Sequence, residues 1–360
     1  THSAMTLLRG YADDLPLDVW LKEKIWPLEA KLTEDDIYWG TKLACLEMIK
    51  TGTAAFNDMY WYPEAAIKAI EEMGLRAVVG LLLLDFDKRS SKENVEKLYK
   101  KIKIKKFETV KISLAPHSIY TVSRENLIWA RDFAKRNNLI LHIHLSETEK
   151  EVQDCLKKYK TRPAEFLAKI GFLSQPCVLA HSIWLSSHEL KVLKKQKSSV
   201  VYNPCSNMKL ASGVFPYEKI KKAGINICLG TDGAASNNNL DMFEEMKFAA
   251  LLQKTKEANP AIAPANEIFE AGTKNGAEAL RINSGAVKEG KLADLTLIDL
   301  NQFSLAPGYN LISGLVYSAT GHCVSDLICN GKVLMREKKV EGEEKIIDKA
   351  RLRAKNLVQK

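Results

Sequence analysis

Four short stretches hold side chains that could do chemistry: Thr1-His2-Ser3, His144-Leu145-Ser146-Glu147, Ala180-His181-Ser182 and Gly230-Thr231-Asp232-Gly233. Their histidines and carboxylates offer nitrogen and oxygen donors, and a ligand set without thiolates suits zinc or another borderline divalent cation. Each residue alone has a plainer reading. A histidine near a chain end carries little weight, His142 or His144 can be a hydrogen-bonded core histidine, and Asp232 before a glycine can simply form a turn. What joins them is that each stretch closes a short aliphatic run.

Those runs, at 53–58, 77–84, 110–117, 139–146, 177–182, 199–204 and 226–232, read as strands. Segments of helical period intervene, for example 64–73, 124–136, 188–195 and 240–254, with apolar residues every three or four positions. This alternation predicts βα units around a parallel sheet, and seven strands suggest an eight-stranded barrel lacking one. Asn57, Asp58, His117, His142, His144, His181, Asn203 and Asp232 all fall toward strand C-terminal ends, the catalytic face of a barrel. After about Asn283 the pattern changes to short strands at 293–299, 327–330 and 332–335 separated by glycine-containing turns. The expected organisation is a barrel over 1–283, a small β subdomain over 284–345 and a charged tail or helix over 346–360.

Composition excludes several classes. A chain of 360 residues with 46% hydrophobic content can bury one large core. No apolar run approaches the roughly 18 residues that span a bilayer, and the first residues lack the pattern of a signal peptide, so the expectation is cytoplasmic. Seven cysteines without a Cys-x-x-Cys pair suggest reduced, buried thiols rather than disulfides or a thiolate metal site. The net charge of +9 has its densest run in the lysines of 97–106. Leu98, Ile102 and Ile104 there suit an amphipathic helix with a solvated basic face. Aromatic residues do not alternate with those lysines, so no nucleic-acid partner is expected.

With these motifs in place, the chain resembles a known family: the nucleoside branch of the amidohydrolase superfamily, the S-adenosylhomocysteine, methylthioadenosine and 5'-deoxyadenosine deaminases. The resemblance covers nearly the whole sequence. It rests on 1–10 (THSAMTLLRG), Leu15-Pro16-Leu17 with Trp20-Leu21, Ile25-Trp26-Pro27-Leu28-Glu29, Ala115-Pro116-His117, His144-Leu145-Ser146-Glu147-Thr148, Ala180-His181 and Gly230-Thr231-Asp232-Gly233. Gly290-Lys291-Leu292-Ala293-Asp294-Leu295 is similar to the family's return into its small β subdomain. The implied fold is a (β/α)8 TIM barrel of the metal-dependent amidohydrolase type with a small β subdomain. His2 resembles the second member of a His-x-His pair whose first member would precede Thr1. On this reading the first barrel strand and the N-terminal part of the subdomain are missing.

The resemblance implies that His2, His144 and Asp232 bind one zinc ion per subunit, with His142 a second choice because it lacks a glutamate three positions later. It implies hydrolytic deamination of 5'-deoxyadenosine, 5'-methylthioadenosine, S-adenosylhomocysteine or adenosine to the inosine analogues plus ammonia. Zinc would activate water, Asp232 would take its proton, His181 would hold the developing tetrahedral centre, and Glu147 would protonate the ring. Ser146-Glu147-Thr148-Glu149 also resembles a helix start, which competes with catalysis for Glu147. Trp20, Glu29, His117, Ser236 and, in a loosely matching stretch, Arg89 would contact the nucleoside, Glu29 as acceptor for both ribose hydroxyls. The family also implies a homo-oligomer, a tetramer or dimer. Rival expectations are another amidohydrolase (a guanine, cytosine or triazine deaminase, or a ring amidase) and an inactive barrel acting as a binding module. A polynucleotide deaminase is disfavoured because Pro204-Cys205 is not followed by a second cysteine.

Overall fold

The computed structural model describes residues 1–359. Seven strands form one parallel sheet in sequence order: β1 (Ala55–Tyr60), β2 (Arg76–Leu83), β3 (Val110–Pro116), β4 (Leu141–Leu145), β5 (Cys177–His181), β6 (Ser199–Tyr202) and β7 (Asn226–Leu229). Every expected strand is present, with ends shifted by up to three residues. All eight residues of β2 are buried. A continuous aliphatic run of this kind belongs in a parallel strand covered on both faces. At Gly80 the inner layer has no room for a side chain, because a Cβ there would lie 2.6 Å from the Ala115 Cβ and 2.9 Å from the Asp58 carbonyl oxygen.

The sheet curls without closing, so β1 and β7 are its two edges. Thr1 lies between them at the C-terminal end. Its amino group donates to the Asn57 carbonyl at 2.7 Å and its own carbonyl accepts from the Met59 N–H at 3.1 Å, the pattern of a parallel pair. The Thr1 hydroxyl donates to the Asp232 carbonyl at 2.7 Å, which ties in the chain just beyond β7. Behind Thr1 the gap between the edges is a cavity of about 560 Å³, with Ala55, Val178, Val201 and Leu229 among its apolar walls.

Helices pack around the sheet, and their starts carry the expected chemistry. Thr33 and Ser186 form reciprocal capping boxes with Asp36 and Glu189, and Ser91, Ser123 and Thr148 accept from the amide three residues on. The lysine-rich run falls partly in the helix Lys92–Ile102, which buries Val95 and Ile102. Ile104 lies past its end and is 78% exposed, so it does not share the apolar face expected of it. All seven cysteines are free and buried. Among the described residues, no helix is long and apolar enough to cross a membrane.

A second, antiparallel sheet joins β8 (Leu295–Ile298), β9 (Val324–Cys329) and β10 (Lys332–Met335) in the order β10-β9-β8. It is fastened to the barrel by the well-buried pair of Arg76 on β2 and Asp294 before β8, whose two hydrogen bonds are 2.8 and 2.9 Å long. The helix Glu343–Gln359 packs on the helix Glu34–Lys50, where Arg353 reaches Asp36 at 2.6 Å and Asp35 at 3.0 Å.

Candidate active site

The site lies where the strands end. Three of its turns pass through left-handed backbone at residues other than glycine: Ser146 (φ +50°), His181 (φ +66°) and Asp232 (φ +58°). Such conformations cost on the order of 1–3 kcal/mol each and persist where the surroundings over-determine them. Here they turn the chain sharply as it leaves β4, β5 and β7, and three side chains meet over the mouth of the sheet.

His2, His144 and Asp232 bring one donor atom each to within 4.8 Å of one another. Their hydrogen bonds suit a cation. The His2 Nδ1 donates to the Met59 carbonyl at 2.6 Å and the His144 Nδ1 to the His117 carbonyl at 2.8 Å. A carbonyl only accepts, so in each neutral ring the proton sits on Nδ1 and the lone pair on Nε2 faces inward. Burial, with His117, His2 and His181 nearby, holds His144 well below the usual histidine range, so it is a neutral donor. Burial works against ionisation of Asp232, yet the hydrogen bond and charge of His2 hold its carboxyl well below the usual range. Burial likewise lowers His2, but Asp232, 3.3 Å from its Nε2, outweighs that and raises it. The field at this point favours positive charge, and the donor set fits a divalent metal.

His142 does not join this group. Its Nδ1 is 2.9 Å from the Asn57 amide nitrogen, and it lines the gap between β1 and β7.

Asp232 is held on its other side. Its Oδ2 accepts from Ser206 at 2.7 Å and from Ser236 at 2.9 Å, so the Ser236 hydroxyl is spent on the carboxylate while also lining the cavity. The Asn207 amide donates to the His181 Nδ1 at 2.8 Å, which leaves an N–H on Nε2 pointing toward Glu147, 3.8 Å away. Glu147 precedes the helix Glu149–Tyr159 and its N-cap Thr148, so it is not a helix-start residue. Its Oε1 accepts from Ser212 at 3.2 Å, and burial raises its carboxyl above the ordinary range. A buried carboxyl raised in this way can carry a proton to a ring nitrogen.

These groups border one cavity, open to solvent and walled by Trp20, Trp26, Trp61 and Phe86. Trp20 is buried, and its indole N–H donates to the Ala12 carbonyl at 3.0 Å. Glu29 is buried at the cavity wall and accepts from the Tyr60 hydroxyl at 2.8 Å. Burial pushes its carboxyl up to about 7 against the pull of Tyr60, His2 and Arg89. His117 lines the cavity 4.6 Å from the His144 ring, centroid to centroid. Burial and the charge of His2 bring it down to about 3, so it is neutral. Arg89 is not brought to the wall: its guanidinium is engaged by Asp87 at 2.6 Å and donates to the Glu29 carbonyl at 3.2 Å.

Sequence reading missed Ser206, Asn207, Ser212, Tyr60 and Glu151. The signal for two of them was present, since Pro204-Cys205-Ser206-Asn207 follows a strand end with two hydrogen-bonding side chains.

A profile of the amidohydrolase family matches residues 1–334. The chain is 48% identical to the 5'-deoxyadenosine deaminase of Methanoregula boonei over 365 aligned residues, covering 100% of this chain and 83% of that protein. It is 48% identical to 5-methylthioadenosine/S-adenosylhomocysteine deaminase 1 of Archaeoglobus fulgidus, over 99% of this chain and 86% of that protein. Among solved structures, an adenosine deaminase from Xanthomonas campestris with bound zinc superimposes with a TM-score of 0.96 at 33% identity, covering 100% of this chain and 84% of that one.

Proposed function

We infer the reaction from two facts taken together: the chain belongs to the amidohydrolase family, and its cavity sets a divalent-metal donor set opposite a raised carboxyl. It is an adenosine-type deaminase that hydrolyses adenine nucleosides to their inosine analogues and ammonia. One observation carries the assignment of roles: His2, His144 and Asp232 converge beside Glu147 and His181, while Glu29 lines the same cavity.

Zinc, one ion held by His2, His144 and Asp232, would supply the polarisation that makes a water nucleophilic at neutral pH. The chain's residues do the rest. Asp232, oriented by Ser206 and Ser236, takes a proton from the attacking water. The His181 Nε2–H, fixed by Asn207, bonds the oxygen as the ring carbon becomes tetrahedral. Glu147 protonates the ring nitrogen beside that carbon, the proton held by Asp232 passes to the amino group as it leaves as ammonia, and the hydroxyl proton left on the carbon returns to Glu147 as the carbonyl forms. Glu29, with one oxygen held by Tyr60, accepts from the ribose hydroxyls, and His117, neutral, offers its free ring nitrogen to the substrate. Trp20 walls the nucleoside, and Ser236 acts through Asp232. Trp26 and Phe86, with ring centroids 5.4 Å apart, form an apolar rim suited to a small 5' substituent. Arg89, neutralised by Asp87, would serve a charged substituent only after releasing that partner. A homo-oligomer belongs to the same proposal on the family resemblance, and cytoplasmic location on the sequence pattern.

The test is to assay adenosine, 5'-deoxyadenosine and 2'-deoxyadenosine with and without Glu29→Ala. The ribonucleosides should exceed the 2'-deoxy compound by about 10-fold or more in kcat/KM, and the variant should erase that difference. Equal turnover of both sugars, unchanged in the variant, contradicts a nucleoside pocket.

A further inference from the structure

Glu151 does something unusual for its place in a helix. It is the third residue of the helix Glu149–Tyr159, and its backbone N–H donates to the side chain of the N-cap Thr148 at 3.2 Å. In a reciprocal capping box the carboxylate at this position reaches back to the N-cap's own amide. Here it reaches further: Oε1 accepts from the Ser146 N–H and Oε2 from the Glu147 N–H, both at 2.9 Å. Those two amides belong to the left-handed turn that carries the Glu147 carboxyl into the cavity. The Ser146 carbonyl is held as well, by the N–H groups of Ile183 and Trp184 at 3.1 and 3.0 Å. With a side chain only 6% exposed, Glu151 has little access to water, and its two amide bonds are what the structure offers it.

We propose that Glu151 is a positioning residue for deamination: its carboxylate fixes the Ser146–Glu147 turn and so aims the Glu147 carboxyl at the substrate ring. This rests on the reading of Glu147 as the group that carries the proton. The role demands a carboxyl group with both oxygens held as acceptors: burial pushes Glu151 up to about 8, and the two amide bonds pull against that. Both donors are amide N–H groups, so two acceptor oxygens are needed at one spacing. Glutamine presents one acceptor and turns an NH2 toward the second amide, while aspartate is a methylene too short to reach both. Misplacing a reacting group by an ångström can cost about 100-fold in rate while barely changing ground-state binding.

The experiment measures kcat and KM for 5'-deoxyadenosine in wild type, Glu151→Gln and Glu151→Asp, each zinc-loaded and checked for folding by circular dichroism. It also measures the dissociation constants of inosine and of purine riboside. The latter lacks the amino group and adds water at the same carbon, so it reports on the tetrahedral state rather than the ground state. Glu151→Gln should lower kcat by about 10- to 100-fold and weaken purine riboside by a similar factor, with KM and inosine affinity within about threefold. Glu151→Asp should show the same split with a smaller loss, which keeps the test open if the glutamine variant folds poorly. A kcat within twofold of wild type in both variants, or equal weakening of inosine and purine riboside, overturns the positioning role. A wild type that neither deaminates the nucleoside nor prefers purine riboside to inosine would instead sink the deaminase reading.

Discussion

At the scale of single residues, the site works by spending hydrogen bonds to fix protonation. His2 and His144 each give their Nδ1 proton to a backbone carbonyl, which leaves Nε2 as the nitrogen that would face a cation in the proposed site. Glu29 is the opposite case, a carboxyl left poised. Burial has pushed it up to about 7, and its value to the ribose lies in the ionised form, which accepts from both hydroxyls. The sign follows: below pH 7 the group is mostly protonated and loses acceptor capacity, and above it the capacity is restored. KM for adenosine should therefore fall by about tenfold between pH 6 and pH 8, as expected for one group titrating midway. The same profile in Glu29→Gln should be flat, and steady-state kinetics across that range decide it. A wild-type KM independent of pH would separate Glu29 from sugar binding. The grouping of His2, His144 and Asp232 was legible because each lies in a short contiguous motif. Glu151 was not, because its function lies in backbone amides that no side-chain pattern reveals.

At the scale of elements, the strands were legible and the turns after them only partly so. Aliphatic runs between helical segments identified all seven barrel strands, since a parallel strand buried on both faces needs little else. Their C-terminal ends fell short where the chain turns: β5 stops at the left-handed His181, and β7 stops at Leu229, three residues before the left-handed Asp232, and nothing in the type of either left-handed residue demands that conformation. The Ile104 expectation failed for a related reason: the helix stops at Ile102, so the apolar period runs on past the structure it belongs to. Element packing makes its own prediction at Gly80, where an added methyl group would press on Ala115 of β3 and on the Asp58 carbonyl of β1. Gly80→Ala should destabilise the fold by about 1–3 kcal/mol, read as a lower denaturant midpoint at unchanged slope. An unchanged midpoint would mean that the inner layer can yield there.

At the scale of the whole molecule, one curled sheet gathers into one cavity residues that lie 230 positions apart in sequence, from His2 to Asp232. The proposed chemistry needs that convergence, because water activation, oxyanion stabilisation and ring protonation must act on the same carbon. Hydrolysis at that carbon is what joins these roles. The most direct measurement is mass spectrometry of the product formed from 5'-deoxyadenosine in water enriched in oxygen-18, with ammonia determined alongside. The expected product is 5'-deoxyinosine carrying one heavy oxygen on the base, with one ammonia per product and no such product from Glu147→Gln on the same timescale. Release of free adenine, a product without the label, or undiminished deamination by Glu147→Gln would contradict it.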